Sequence, residues 1–307
     1  MGAKILQLDQ ANYDLWLTYS WSDNNHGICG HTFEVIDYYF FLKDYLRVGI
    51  LLAEDIDAET FVSAIEDKYD VTDQEIQDIL KDTVFSNRPT LVRGNYILFT
   101  DGGAKALERV TLLFKKVFYF ACGNFEIKDN KNKNLFILQD DRIYEKCLNS
   151  INYVKKINFK KYKKLKEKAE DNVLIYGTKN CRHIEYDMYF EIMELFPDSN
   201  FICLTSKENR PSLPSKRFSF PEMPVKNLFL RFNTYVYTPV PRKFDCSSRL
   251  LAECKFYNKK VHFFMIDYWD QDKGLYWRNW DIQHQFEKLF LDHGDEIVEI
   301  LRSQIEL

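Results

Sequence analysis

A chain of 307 residues with 46% apolar and 29% charged content is long enough for two domains, each with its own core. Its formal net charge of −4 excludes a protein that draws polyanions by its global field, so any such partner must meet a local basic patch. The seven cysteines are scattered without a CxxC pair, which excludes a zinc ribbon or a disulfide framework as the organising device and fits a reducing cytosol. The opening KILQLDQANYDLW lacks the continuous apolar core of a signal peptide, and no run approaches the roughly 18–20 apolar residues of a membrane span. The expectation is a soluble, cytoplasmic monomer with no membrane contact.

In chain order, YDLWLTYSW (13–21) reads as a first strand, followed by the loop SDNNHGICGHT and a helix over 32–42. RVGILLAED (47–55) is a continuous apolar run, as expected of a strand buried on both faces of a parallel sheet. Helical patterns occupy 58–68 and 73–82, and Thr72 with Glu75 three residues on has the form of a capping box. NYILFTDGG (95–103) reads as a strand, 104–114 as a helix and KVFYFACG (116–123) as a further strand. This alternation predicts βαβ units in a mostly parallel sheet, whose ligands sit at the carboxyl ends of strands. The loops 22–32 and 100–104 fall at such ends.

Beyond residue 124 the grammar changes. A polar tract, DNKNKN, and a short strand, LFILQ, precede KKINFKKYKKLKEK (155–168), a lysine-dense stretch interleaved with Phe159 and Tyr162. It reads either as a solvated helical face or linker, or as a track for a phosphate backbone through Lys160, Lys161, Lys163 and Lys164, with Lys207, Arg210, Lys216 and Arg217 as a second patch. A domain boundary is expected near residue 170. The second half then repeats the first: strand 172–178, helix 184–196, strand 200–206, a Pro- and Ser-rich loop, a short helix over 224–231, and the stretch YVYTPVPRKFDCSSRLLAECKFYNKKVHFF (235–264) as strand, helix and strand. Helical segments are expected at 281–292 and 295–306.

Arg249 and Glu253, four residues apart, share one face of their helix, behind capping groups from Asp245, Ser247 and Ser248. They read either as a solvated ion pair or as a cation for phosphate and a carboxylate for ribose hydroxyls beside a helix N-terminus. Lys179 and Arg182 lie between strand 172–178 and the next helix, a placement suited to a diphosphate, although neither GxGxxG nor GxxxxGK[ST] occurs. In the first half, Asp101 ends a strand before two glycines, and His31 stands just before a helix, in a loop that also holds Asp23 and His26. Each reads as a candidate base or as a turn or cap residue. No HExxH or comparable set implies a metal, and no GxSxG elbow implies an acyl hydrolase.

LIYGTKNCR and SSRLLAECKFYNKKV resemble the nucleotide-binding motifs of GT-B glycosyltransferases, and in particular those of the DNA glucosyltransferases of T-even-type phages. The resemblance implies an α/β, GT-B-like fold of two Rossmann-like domains facing across a cleft: 1–170 for the acceptor, 171–280 for the nucleotide sugar, and 281–307 crossing back to the first. It implies that Lys179, Arg182 and Arg249 hold the diphosphate of a UDP-sugar co-substrate in a donor site that also includes Ser248, that Glu253 holds its ribose, and that SFPEMPVKNLF flanks the base. The ILFTD preceding and including Asp101 is similar to the strand that carries the family's catalytic aspartate. The implied activity is transfer of glucose, or a pentose such as arabinose, to 5-hydroxymethylcytosine in double-stranded phage DNA, in the host cytoplasm. A glycan or small-molecule acceptor, or a non-catalytic nucleotide- or DNA-binding role, stands as the alternative.

Overall fold

The computed structural model describes residues 13–19, 27–86, 95–100, 111, 113–120, 132–139, 149–176, 186–205, 210–213, 215–221, 225–237, 249–264, 269–270, 275–276 and 294–305. The chain divides into two compact units, Met1–Tyr162 with Leu291–Leu307, and Lys163–Phe290. Both are α/β, each built on a parallel sheet.

The first unit carries β1 (Leu15–Thr18), α1 (Gly30–Leu42), β2 (Val48–Leu52), α2 (Ala58–Lys68), α3 (Asp73–Lys81), β3 (Thr83–Phe85), β4 (Tyr96–Phe99), β5 (Lys116–Phe120), β6 (Leu135–Gln139) and β7 (Ser150–Asn152). Its seven strands are all parallel, in the order β3-β2-β1-β4-β5-β6-β7. The runs LWLT, VGILL and YILF are buried throughout, because a parallel sheet covered on both faces leaves no strand face to water. The edge strands β3 and β7 have only three residues each, too few to show a period, and were not expected from the sequence. The chain runs from β1 outward through β2 and β3, then returns to the other side of β1 with β4. This reversal makes the carboxyl ends of β1 and β4 a topological switch point.

Helix α1 is buried almost all round from Thr32 to Leu42, as its apolar composition requires, and it packs against β1, β2 and the helix Gly294–Gln304. The expected capping box opens α3: the Thr72 backbone N–H donates to Glu75 Oε2 (3.0 Å) and the Glu75 N–H to Thr72 Oγ1 (3.2 Å).

The lysine-dense stretch is not a helix. Residues 153–158 form no regular element and lead into a single 3-10 turn, Phe159–Lys161, and Tyr162 forms an antiparallel bridge with Tyr69. Lys155, Lys156, Ile157, Asn158, Phe159 and Tyr162 are all buried, so the solvated-face reading fails here and the two rings are core residues, not stacking platforms. The strap is tied down through its main chain: Tyr153 N–H donates to Gln139 O, Lys156 N–H to the Tyr38 side-chain Oη, and the Lys161 carbonyl accepts from Asp70 N–H.

Lys161 Nζ donates to Glu75 Oε1 at 2.6 Å, with Lys43 Nζ 3.6 Å from the same oxygen. Burial would raise the Glu75 pKa, but the Lys161 hydrogen bond, the Thr72 N–H and the charges of Lys161 and Lys43 outweigh it and hold it at about 2. The folded value lies below the ordinary 4.5, so this carboxylate contributes stability that is present above about pH 4.5 and is lost as the pH falls toward about 2. Glu75→Gln should therefore lower Tm at neutral pH, and the gap to wild type should close across that window. A Tm difference that does not change with pH would count against the linkage.

The second unit carries β8 (Asn172–Tyr176), α4 (Tyr186–Leu195), β9 (Asn200–Leu204), β10 (Phe218–Ser219), β11 (Thr234–Tyr237), α5 (Arg249–Phe256) and β12 (Lys260–Phe263), with a short ladder of β13 (Trp269–Asp270) and β14 (Leu275–Tyr276). Its five-stranded parallel sheet has the order β10-β9-β8-β11-β12, the same winding as the first five strands of the other unit, with its switch point at β8 and β11. Aromatic and aliphatic side chains fill both faces, Phe232 and Tyr235 on one and Phe201 and Tyr189 on the other. The helix expected over 224–231 is only a 3-10 turn, Leu228–Leu230, because Asn227 before it is left-handed (φ 52°) and stops any longer helix at that point. Most of the helix expected over 104–114, and all of that over 281–292, lie outside the described residues. Among the described residues no helix is long and apolar enough to cross a membrane.

Candidate functional site

At the first switch point, α1 is the element that follows β1 in the chain. Gly27 takes φ +54°, a conformation open to glycine at little cost, and the loop turns into the helix through Cys29. The Cys29 N–H donates to Thr32 Oγ1 (3.2 Å), so Thr32 does the capping. His31 does not cap. Its Nδ1 lies 2.9 Å from Glu34 Oε2, and its ring stacks against Tyr19 at 6.5 Å.

Glu34 has a second partner from far along the chain. Lys155 Nζ lies 2.6 Å from the same Oε2 and donates to the Thr100 carbonyl (3.1 Å) at the end of β4. It also stands over the Phe120 ring at the end of β5, 5.6 Å from the centroid. The side chains of Lys155 and Glu34 are 6% and 7% exposed, while that of His31 is 37% exposed. A buried cation and carboxylate thus stand behind a histidine that reaches solvent. Two other titratable groups flank it, and burial disfavours the charged form of both, pushing up the Cys29 thiol and the Tyr19 phenol. Burial thus disfavours the Cys29 thiolate, despite its place at a helix N-terminus.

Sequence reasoning singled out His31 but not Glu34 or Lys155, which the structure brings beside it. A signal for Glu34 was present: it is a carboxylate inside the apolar run of α1, as is Asp37, which accepts from Tyr69 Oη at 3.0 Å. Carboxylates in a buried helix must be paired. Asp101 follows Thr100 directly in sequence and lies outside the described residues.

At the second switch point, Arg249 and Glu253 come from α5, the helix between β11 and β12. Arg249 Nε donates to Glu253 Oε1 at 2.9 Å, and the two side chains are 8% and 5% exposed. The pair is buried, so the solvated reading does not describe it. Cys254 beside it is buried too; burial first, and then the Glu253 charge, push its thiol well above the ordinary range. Lys179, Arg182 and Ser248 lie outside the described residues.

The lysines proposed for a phosphate track divide between the units. Lys160 and Lys161 belong to the first and Lys163 and Lys164 to the second. Lys160, Lys163 and Lys164 are exposed, whereas Lys161 is engaged by Glu75 and stands over the Phe40 ring. Arg217, from the second patch, turns inward: its guanidinium donates to the Ser199 and Phe196 carbonyls and stacks over Phe201. Among the described residues no group of three or more His, Cys, Asp or Glu side chains is gathered to hold a metal ion. The chain matches no protein-family model, no curated protein and no solved structure.

Proposed function

We propose that the protein is a GT-B-type glycosyltransferase that moves a sugar, glucose or a pentose such as arabinose, from a UDP-type nucleotide sugar to a hydroxyl acceptor. The observation that carries the reading is the buried Arg249–Glu253 pair on the helix that follows the switch-point strand β11. Ligands of doubly wound sheets bind at such a point, and a cation with a carboxylate four residues on provides for a diphosphate and a ribose together. In this reading the second unit holds the donor, with Lys179 and Arg182 joining Arg249 at the phosphates and Ser248 in the same donor site. The first unit supplies the base, His31 or Asp101. The base takes the acceptor hydroxyl proton, the oxygen attacks the anomeric carbon, and the bond to the β-phosphate breaks with its electron pair leaving on UDP.

The acceptor in this proposal is 5-hydroxymethylcytosine in duplex DNA, which must leave the stack to be reached. The exposed Lys160, Lys163 and Lys164 then meet phosphates. The test is incubation with a panel of UDP-sugars and with hydroxymethylated DNA, glycans or small alcohols, reading UDP release and the masses of digested nucleosides. Acceptor-dependent UDP release with a glycosylated nucleoside is expected. Transfer to a glycan alone would move the acceptor, and no turnover with any pair would overturn the reading in favour of a binding protein without catalysis.

A further inference from the structure

We propose that Glu34 and Lys155 are positioning residues for His31: Glu34 holds the imidazole with its proton on Nδ1, so that Nε2 carries the lone pair that receives the acceptor proton, and Lys155 holds Glu34. This deepens the transfer reading above and rests on it for the destination of the proton.

Three observations carry the inference. The first is convergence. His31 and Glu34 come from the first turns of α1 and Lys155 from the strap after β7, yet one carboxylate oxygen lies within 2.9 Å of Nδ1 and 2.6 Å of Nζ. The second is the gradient of burial. Lys155 and Glu34 are desolvated at a cost that a surface pair would avoid, and only the imidazole reaches solvent. A pair serving stability alone has no need of a histidine at its exposed end. The third is placement: Lys155 also donates to the Thr100 carbonyl, so the same ammonium ties the start of α1 to the carboxyl end of β4. Those two elements border the switch point where ligands of such sheets bind.

A carboxylate beside Nδ1 selects the Nδ1–H tautomer and orients the ring. When Nε2 takes the proton from the acceptor hydroxyl, the resulting imidazolium is stabilised by the Glu34 charge. The oxygen left behind forms the new bond to the anomeric carbon as UDP departs with the electron pair. Among the described residues, the titratable groups gathered about the ring are Glu34 on its own helix, Tyr19 from the end of β1, Cys29 at the cap and, behind Glu34, Lys155 from the strap. With burial disfavouring the charged forms of the phenol and the thiol, the carboxylate and the ammonium are the charges that these described groups bring to the ring.

The test is the protonation state of His31 in the intact protein, followed by 15N–1H correlation spectra of its ring across pH. Wild type should show the Nδ1–H form. In Glu34→Gln the carboxylate is gone while the Lys155 cation remains, so the His31 pKa should fall by about one unit or more. Because that variant takes the Glu34 charge away from a buried cation, Glu34→Leu/Lys155→Met keeps the test sound. It removes both charges, and the ring should relax toward the Nε2–H form that histidine prefers in water. In the transfer assay Glu34→Gln should lower kcat about 10- to 100-fold with the donor KM unchanged, and the acid limb of the pH–rate profile should move with the His31 pKa. An Nε2–H ring in wild type, or a His31 titration unchanged in both variants, would overturn the inference. Spectra as expected in a wild type that turns over no UDP-sugar would instead overturn the transfer reading and leave the triad standing.

Discussion

Removing the Glu253 carboxylate while Arg249 remains is expected to destabilise the second unit by about 3–5 kcal/mol. The same pair on a helix surface would contribute only about 0.3–0.5 kcal/mol, so burial decides the magnitude. Here the guanidinium and carboxylate are 8% and 5% exposed, on a helix whose Leu251, Ala252 and Cys254 are packed in the core. Glu253→Gln takes the Glu253 charge away from a desolvated Arg249 guanidinium. The combined variant Arg249→Met/Glu253→Leu removes both charges of the pair and should recover most of the loss, a non-additivity that a double-mutant cycle reads directly. Urea unfolding monitored by circular dichroism and tryptophan fluorescence checks both. A single-variant cost below about 1 kcal/mol would mean that the pair is solvated after all. The combined variant also separates folding from binding. It should remain folded yet lose at least tenfold in affinity for UDP by calorimetry. Unchanged UDP binding in a folded double variant would remove Arg249 and Glu253 from the donor site.

The contrast between these two residues' spacing and their burial shows where sequence reading stops. A separation of four places Arg249 and Glu253 on one helical face, but it does not say whether that face looks at water or at a sheet. The long apolar runs of β1, β2 and β4 were legible because a doubly covered strand must be apolar at every position. The capping box of α3 was legible because its chemistry is local. The strap was not. Composition marks 155–168 as charged, and local spacing carries no trace of a carboxylate on α1 that Lys155 meets only after the chain has crossed the sheet. The edge strands Thr83–Phe85 and Ser150–Asn152 were too short for any period, and they take their conformation from β2 and β6, with which they pair. Half of the first site was therefore readable, as a histidine in a loop at a strand's end, and the half that holds that histidine was a matter of tertiary path.

Gly49→Ala is expected to destabilise the first unit by about 1–3 kcal/mol, against the local preference. By propensity alone the change should help, because glycine within a strand is less favourable than alanine by about 0.5–1 kcal/mol. Packing reverses the sign. Gly49 on β2 is the register partner of Trp16 on β1, and the indole lies over it. A Cβ at Gly49 would stand 2.6 Å from Trp16 Cζ3 and 2.7 Å from Cε3, well inside contact distance. The ring has little room to yield, since Trp16 is fully buried among Leu51, Ile97, Phe99, Phe114 and Val117, with Tyr13 tilted against it at 4.8 Å. Accommodation must therefore come from the backbone of β1 or β2. Strand β1 bears the switch point: the Thr18 carbonyl, two residues beyond Trp16, accepts from the Thr100 N–H at 2.9 Å. The displacement thus reaches the segment that positions Thr100 for Lys155. Thermal melts of Gly49→Ala, Trp16→Phe and the pair check the origin of the loss. The smaller ring vacates the space over Gly49, so alanine should cost less in the Trp16→Phe background, with a coupling of about 0.5–3 kcal/mol. Should Gly49→Ala melt at or above wild type, the indole does not lie over Gly49.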